Sequence, residues 1–274
     1  DFATPEWFKG GVLYQIFPDR FYKSGEVYPE RGKWLHKSWK EAPEFRANKQ
    51  GKVLNNDFFG GNFRGIAEKL DYLQSLRVTA IYLNPIFRAY SNHRYDTGDY
   101  MQVDSMLGTE VDFASLVSEC EKRGIKIILD GVFNHTGDDS RYFNKYGNYD
   151  ELGAYQSKDS KYYAWYNFKH FPDKYDSWWG IDVLPAVNEG CQSYIDFITG
   201  ENGVLRRWMN YPLGGFRLDV ADELPDEFIE KIRSAVKTAS PEAVVIGEVW
   251  EDASNKIAYS RRRKYFQGRE LDSV

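Results

Sequence analysis

The alternation of short apolar runs with amphipathic stretches predicts an α/β fold on a parallel sheet. Two observations carry this. Five runs rich in Val, Ile, Leu and aromatics are continuously apolar rather than alternating, as parallel strands covered on both faces are. Between them lie segments with apolar residues at helical spacing.

In chain order, the predicted strands are residues 11–17 (GVLYQIF), 78–83 (VTAIYL), 125–130 (IKIILD), 215–220 (GFRLDV) and 244–249 (VVIGEV). A helix is predicted over 63–76, with Ile66, Leu70, Leu73 and Leu76 on one face. A second, over 110–123, carries Val111, Leu116, Val117 and Cys120; Thr109 to Asp112 reads as a capping box and Gly124 as its stop. A third, over 225–239, carries Phe228, Ile232, Ala235 and Val236, with Pro225 suited to the first turn. Two long polar segments, 18–61 and 136–189, break the rhythm. Loops of that length are usually functional. Both follow the C-terminal end of a strand, which in a (β/α)8 barrel is the face that holds the active site.

Composition narrows the function classes. The net charge is −5, and the longest basic run, Arg261 to Lys264, reads as a solvated helix end rather than a phosphate-binding patch, so no nucleic-acid partner is expected. No apolar run approaches the roughly 20 residues needed to span a bilayer, so no membrane partner is expected. The chain opens Asp1-Phe2-Ala3-Thr4-Pro5, without a basic start or an apolar stretch; the compartment stays open. Aromatic residues reach 17%, enough to fill a core or to stack on sugar rings. The two cysteines lie far apart, and Cys120, on an apolar helical face, reads as a buried free thiol.

The strand ends carry the chemistry. The third run enters Asp130-Gly131-Val132-Phe133-Asn134-His135, the fourth ends in Arg217-Leu218-Asp219 and the fifth in Glu248-Val249-Trp250. Arg217 and Asp219, two apart on a strand, point to one side. Any one carboxylate here could cap the following helix. Three together, with Arg217 and His135, suit glycoside hydrolysis. One carboxylic acid protonates the leaving oxygen and one carboxylate attacks the anomeric carbon. An Arg beside the attacking group is expected to keep it ionised. With only four His and no close pair, a zinc site has little support. An aldolase or isomerase barrel would need a rim Lys or a phosphate site, and neither stands out.

These residues resemble the α-amylase family, glycoside hydrolase family thirteen. The stretches 130–135, 215–219 and 247–250 look like three of its defining regions, in order and spacing. Residues 14–21 resemble its first strand, and Leu184-Pro185-Ala186-Val187-Asn188 its region near the end of the inserted B domain. Residues 93–100 (HRYDTGDY) and 247–253 (GEVWEDA) look most like the neopullulanase, cyclomaltodextrinase and maltogenic amylase branch.

The resemblance implies a TIM (β/α)8-type barrel, incomplete at about five strands, with a B-domain-like insertion after the third. It divides the chain into 1–135, 136–189 and 190–274. It implies retaining hydrolysis of α-1,4-glucosidic bonds in an α-glucan oligosaccharide or polysaccharide, with α-1,6 bonds and transglycosylation open. Asp219 would be the nucleophile and Glu248 the general acid and base. Arg217 would orient Asp219, and Asp130 would pair with Arg217. His93, Tyr95, His135 and Trp250 would line the sugar pocket, Tyr95 by stacking. No cofactor is required. Calcium stays open: Asn134 matches a position that contributes to calcium binding in many members, but residues 23–29 lack the Asp/Asn-rich loop, and Asn62 stands where an Asp would be a harder ligand. Asn134-His135-Thr136 also fits a glycosylation pattern, read as a false positive because a glycan would block the site.

The family's third essential carboxylate, in an Asn-His-Asp motif after the sixth strand, has no counterpart, since that triplet does not occur in the sequence. Five strands cannot close a barrel. The expectation is a piece of a longer protein, inactive by itself and able to self-associate through the open edge. The alternative is a non-catalytic relative that binds sugar or protein.

Overall fold

The computed structural model describes residues 4–30 and 32–274. Five parallel strands form the central sheet: β1 (Leu13–Ile16), β2 (Ala80–Leu83), β3 (Lys126–Gly131), β4 (Gly215–Leu218) and β5 (Val244–Gly247). Each pairs with the next in chain order. All five predicted runs are strands, trimmed by one or two residues at an end, with β3 reaching one residue further than predicted. Beyond β5, the Asp272 amide donates to the Val245 carbonyl at 2.8 Å and the Gly247 amide to the Ser273 carbonyl at 2.9 Å. Residues 272–273 thus begin a parallel pairing on that edge.

Strand alternation sorts the apolar side chains onto two faces. Ile81, Leu83, Ile127, Leu129, Phe216, Leu218 and Val245 join the main core under the helices. Ala80, Tyr82, Ile128, Val244 and Ile246 face the other way, packed against Trp7 and Phe8. Trp7 fixes that cover by donating its indole N–H to the Glu242 carbonyl at 2.7 Å. The first strand is not covered on both faces: Leu13 keeps 43% of its surface exposed.

The helices are α1 (Phe63–Glu68), α2 (Leu70–Ser75), α3 (Glu110–Lys122), α4 (Gln192–Thr199), α5 (Val204–Met209) and α6 (Asp226–Ala239). The single helix expected over 63–76 is broken at Lys69, where φ is −101° and ψ 6°. There the Lys69 amide turns back to Ile66, an i to i+3 bond tighter than the α-helical pattern. Ile66, Leu70 and Leu73 stay buried, but Leu76 falls past the end of α2 and is largely exposed. The α3 capping box is present: the Asp112 amide donates to Thr109 Oγ1 and the Thr109 amide returns to Asp112 Oδ2. Val111 was placed on the buried face, yet it is 77% exposed; Phe113 fills the core there instead. Pro225 is the cap before α6 rather than its first turn, its carbonyl accepting from Phe228 and Ile229.

Two elements were not foreseen. Helices α4 and α5 pack Tyr194, Ile198, Leu205 and Trp208 into the main core. Trp208 is fully buried, sits against Phe87 and Phe113, and donates to the Tyr100 carbonyl at 2.8 Å. A hairpin of Phe87–Ala89 with Thr97–Val103 follows β2. The segment 136–189 shares the main core through Tyr142, Phe143, Trp165 and Tyr166. It returns to the end of β3 by bridges joining His135 to Ala186 and Tyr166 to Val187. The basic run is not a helix end. Arg261 and Arg262 form a two-stranded ribbon with Ile257–Ala258, and the buried Arg263 binds Asp226 and the carbonyls of Asp222 and Leu224.

Candidate active site

Parallel pairing in register sets Asp130 beside Arg217 at the C-terminal ends of β3 and β4. Asp219 and Glu248 follow one step beyond β4 and β5. The Arg217 guanidinium binds all three carboxylates. Its Nη1 lies 3.0 and 3.2 Å from the two oxygens of Asp130 and 2.8 Å from Asp219 Oδ1. Its Nη2 lies 2.9 Å from Glu248 Oε2. That oxygen also accepts the Val220 amide at 2.8 Å. Val220 adopts φ 43°, a left-handed conformation unusual for a β-branched residue, which turns its N–H toward Glu248.

A phenol shelf closes the other side of Asp130. Tyr95 donates to Asp130 Oδ2 at 2.8 Å, and Tyr82 donates to the same oxygen. Asn84 donates to the Tyr95 hydroxyl at 3.0 Å and is itself held by Gln15 at 3.0 Å. Sequence reasoning picked Tyr95 but missed Tyr82 and Asn84. The period of two along β2 is the signal that would have found them, because Tyr82 and Asn84 share the inward face. His93 supports Tyr95, its Nδ1 accepting the Tyr95 amide at 3.1 Å, with the rings stacked at 5.9 Å. His135 is buried, its Nε2 3.2 Å from the Tyr95 carbonyl and its ring 5.7 Å from Trp178. Trp250 is half exposed, its indole N–H 3.3 Å from Glu248 Oε1. Its ring lies 5.9 Å from that of Trp179, a residue of the insertion that was also missed.

The electrostatics run against the expectation that Arg217 keeps Asp219 ionised. Three carboxylates around one guanidinium leave two charges unbalanced when all are ionised. Burial, and then the Asp130 charge, push the Asp219 carboxyl well above the usual range, outweighing Arg217. Burial also raises Glu248, but the Val220 amide and Arg217 outweigh it and hold that group below its usual range. Burial raises Asp130 against the pull of Arg217 and the two phenols. In this closed arrangement burial thus disfavours full ionisation of the neighbouring carboxyls Asp130 and Asp219, while Glu248 is held as the ionised partner of Arg217. Burial pushes the His135 imidazole down to about 4 and lowers His93, so both are neutral hydrogen-bonding groups at neutral pH.

Of the two calcium candidates, Asn62 has its carbonyl oxygen engaged by backbone amides. Asn62 Oδ1 accepts the Gly65 amide at 2.8 Å as the cap of α1 and the Ser24 amide at 3.2 Å, which occupies both of its lone pairs. Asn134 sits beside His135, 3.4 Å from its Nδ1.

Comparison with known proteins bears directly on this constellation. The sequence model described as "Alpha amylase, catalytic domain" matches residues 15–195. The chain belongs to the α-amylase family. An amylopullulanase of Thermoanaerobacterium saccharolyticum is 43% identical over 93% of this chain, and a cyclomaltodextrinase of Thermoanaerobacter pseudethanolicus is 36% identical over 100% of it. The chain spans 22% of the first relative's length and 43% of the second's. Among solved structures, the cyclic α-maltosyl-(1→6)-maltose hydrolase of Arthrobacter globiformis in complex with maltose matches with TM-score 0.81 and 31% identity, over 98% of this chain and 56% of that one. These neighbours are amylase-family enzymes, and the five parallel strands with their helices are the corresponding portion of the family's α/β barrel.

Proposed function

We propose that this chain carries the catalytic centre of a retaining α-glucan hydrolase that cleaves α-1,4-glucosidic bonds. The observation that supports it most is the single guanidinium of Arg217 gathering Asp130, Asp219 and Glu248 at adjacent strand ends. Relatives named neopullulanase and cyclomaltodextrinase support an α-glucan of the pullulan or cyclodextrin kind as substrate. Residues 136–189 serve as the family's B-like domain, contributing Trp178 and Trp179 to the rim.

In this reading Asp219 attacks the anomeric carbon, and Glu248 protonates the leaving oxygen and later deprotonates water. The closed arrangement is the resting one. An entering sugar must part Asp219 from Glu248 and lift Glu248 from Arg217, and Glu248 must take up a proton while Asp219 is left ionised. Arg217 then pairs with Asp219 and Asp130 alone, which favours an ionised nucleophile. Tyr95, with its neutral partners His93 and His135, offers an electron-rich ring and hydrogen-bonding groups to the sugar. No step is routed through calcium.

Proton NMR of maltooligosaccharide cleavage by the intact protein, read in the first minutes, tests this. The α-anomer should appear first. Initial β-anomer, or no cleavage of any α-glucan, overturns the reading.

A further inference from the structure

The loop that delivers His93 and Tyr95 has at its centre a buried arginine that faces away from the acid cluster. Arg94 is 1% exposed, an unusual state for a guanidinium, and its backbone sits at φ 61°, where a side chain is strained. Its Nη2 lies 3.1 Å from Asp104 Oδ1, its Nη1 donates to the Asn92 carbonyl at 3.0 Å, and the group lies 5.5 Å from the Phe58 ring centre. Asp104 is equally buried and fixed by the amides of Ala89 and Met106. Burial raises its carboxyl, but Arg94 and Lys33 outweigh that and hold it below the usual range. Lys33 ties the same corner to the Ala89 carbonyl at 2.9 Å. The loop is also pinned from inside: the Arg94 amide donates to Ser91 Oγ at 3.0 Å, and Ser91 binds Asp96 through its amide and its hydroxyl. Arg94 thus grips a fixed carboxylate on one side and its own loop on the other. The residues flanking it point to the site, where Tyr95 reaches Asp130.

We infer that Arg94 is a positioning residue. The Arg94–Asp104 clamp holds residues 91–96 in the strained turn that aims Tyr95 at Asp130 and sets His93 beneath it. This rests on the proposed hydrolase reading for its kinetic consequence, but not for its structural one. Because a displacement of about 1 Å at a reacting centre can cost ~100-fold in rate, loosening the turn should lower kcat more than it raises KM.

Arg94→Gly removes the clamp and suits the left-handed backbone, so it relieves strain while freeing the loop. In the intact protein, amide exchange of residues 91–96 should quicken at least about 10-fold, with α3 unchanged. On a maltooligosaccharide, kcat should fall about 10- to 100-fold. In a Tyr95→Ala background, which removes ring and hydroxyl together, the same change should cost under about 3-fold, because the clamp acts through Tyr95. A role confined to folding would give equal losses in both backgrounds. Asp104→Asn, which weakens the clamp from the other side, serves if the glycine variant does not fold. Unchanged loop exchange, or equal losses with and without the Tyr95 side chain, overturns the inference. If the wild type cleaves no α-glucan, the hydrolase reading fails, and the exchange measurement alone still decides whether Arg94 holds the loop.

Discussion

Replacing Asp219 with asparagine should make the protein more stable at neutral pH while abolishing turnover. The argument starts from the charge balance around Arg217. Asp219 gains one attraction, to a guanidinium nitrogen at 2.8 Å, and meets repulsion from Asp130 and Glu248, both held by the same guanidinium. At an effective dielectric near 20, one close pair is worth about 4 kcal/mol and a pair at about 6 Å about 3 kcal/mol. One attraction against two repulsions leaves a net penalty of about 2 kcal/mol for the ionised group, and burial adds to it. Asparagine keeps the shape and an oxygen for Arg217 but sheds the charge. A gain of about 1–3 kcal/mol follows, a rise in Tm of roughly 3–10 °C for a chain of this size. The sign depends on pH. The folded carboxyl titrates above its unfolded value, so the penalty is full above the folded pKa. It shrinks as pH falls through that value and vanishes below about pH 4. Circular-dichroism melts of both proteins at pH 8, 7, 5 and 4 measure this. A lower Tm for Asp219→Asn at pH 7, or a gain that does not shrink on acidification, would refute the reasoning.

Further outcomes follow from the same geometry. Arg217→Met should lower stability by about 3–5 kcal/mol in urea unfolding at pH 7, because it strands buried carboxylates, and should do less harm at pH 4 where they are protonated. Trp208→Ala should cost about 3–5 kcal/mol in the same assay, since the indole fills the core between Phe87 and Phe113 and satisfies the Tyr100 carbonyl. Cys120, buried and with its thiol pushed up to about 12, should resist a thiol reagent under native conditions while the half-exposed Cys191 reacts; labelling of both at equal rates would contradict this.

The sheet was legible because its strands are short, apolar and punctuated by Gly and Pro, so type and order survived even where ends moved. The start of helix α3 was legible to the residue because its cap is a local device. The break at Lys69 was not, since nothing in the 63–76 pattern distinguishes one helix from two that kink over the same core. Val111 misled for a related reason. It lies on the helix face opposite Phe113 and Cys120, so its apolarity carries no burial. Helices α4 and α5 follow an aromatic-rich insertion, and their buried faces depend on distant partners: Tyr142 and Trp165 pack against α4, Phe87 and Phe113 against α5. At the site, the acids and Arg217 could be read from strand ends. Their protonation could not, because it depends on how many carboxylates share one guanidinium, a three-dimensional count.

Among the left-handed residues without glycine's freedom around this site, Val220 and Arg94 connect its geometry to its instability. Val220 at φ 43° aims an amide at Glu248, and Arg94 at φ 61° turns the loop that bears Tyr95. Each such conformation costs of order 1–3 kcal/mol and persists only where surrounding contacts impose it. Val220 is held between the buried Leu218 and Ala221, Arg94 between Asp104 and the Asn92 carbonyl. The crowded carboxylates add a charge penalty at the same place. Strain and like charge therefore concentrate on the few residues that would have to rearrange when a sugar enters, while the helices outside the sheet carry the apolar burial that offsets them. If that division holds, substitutions that relieve the site, Asp219→Asn among them, should raise stability only by dismantling chemistry. Substitutions in the core, such as Trp208→Ala, should lower stability and leave the pH dependence of the site unmoved.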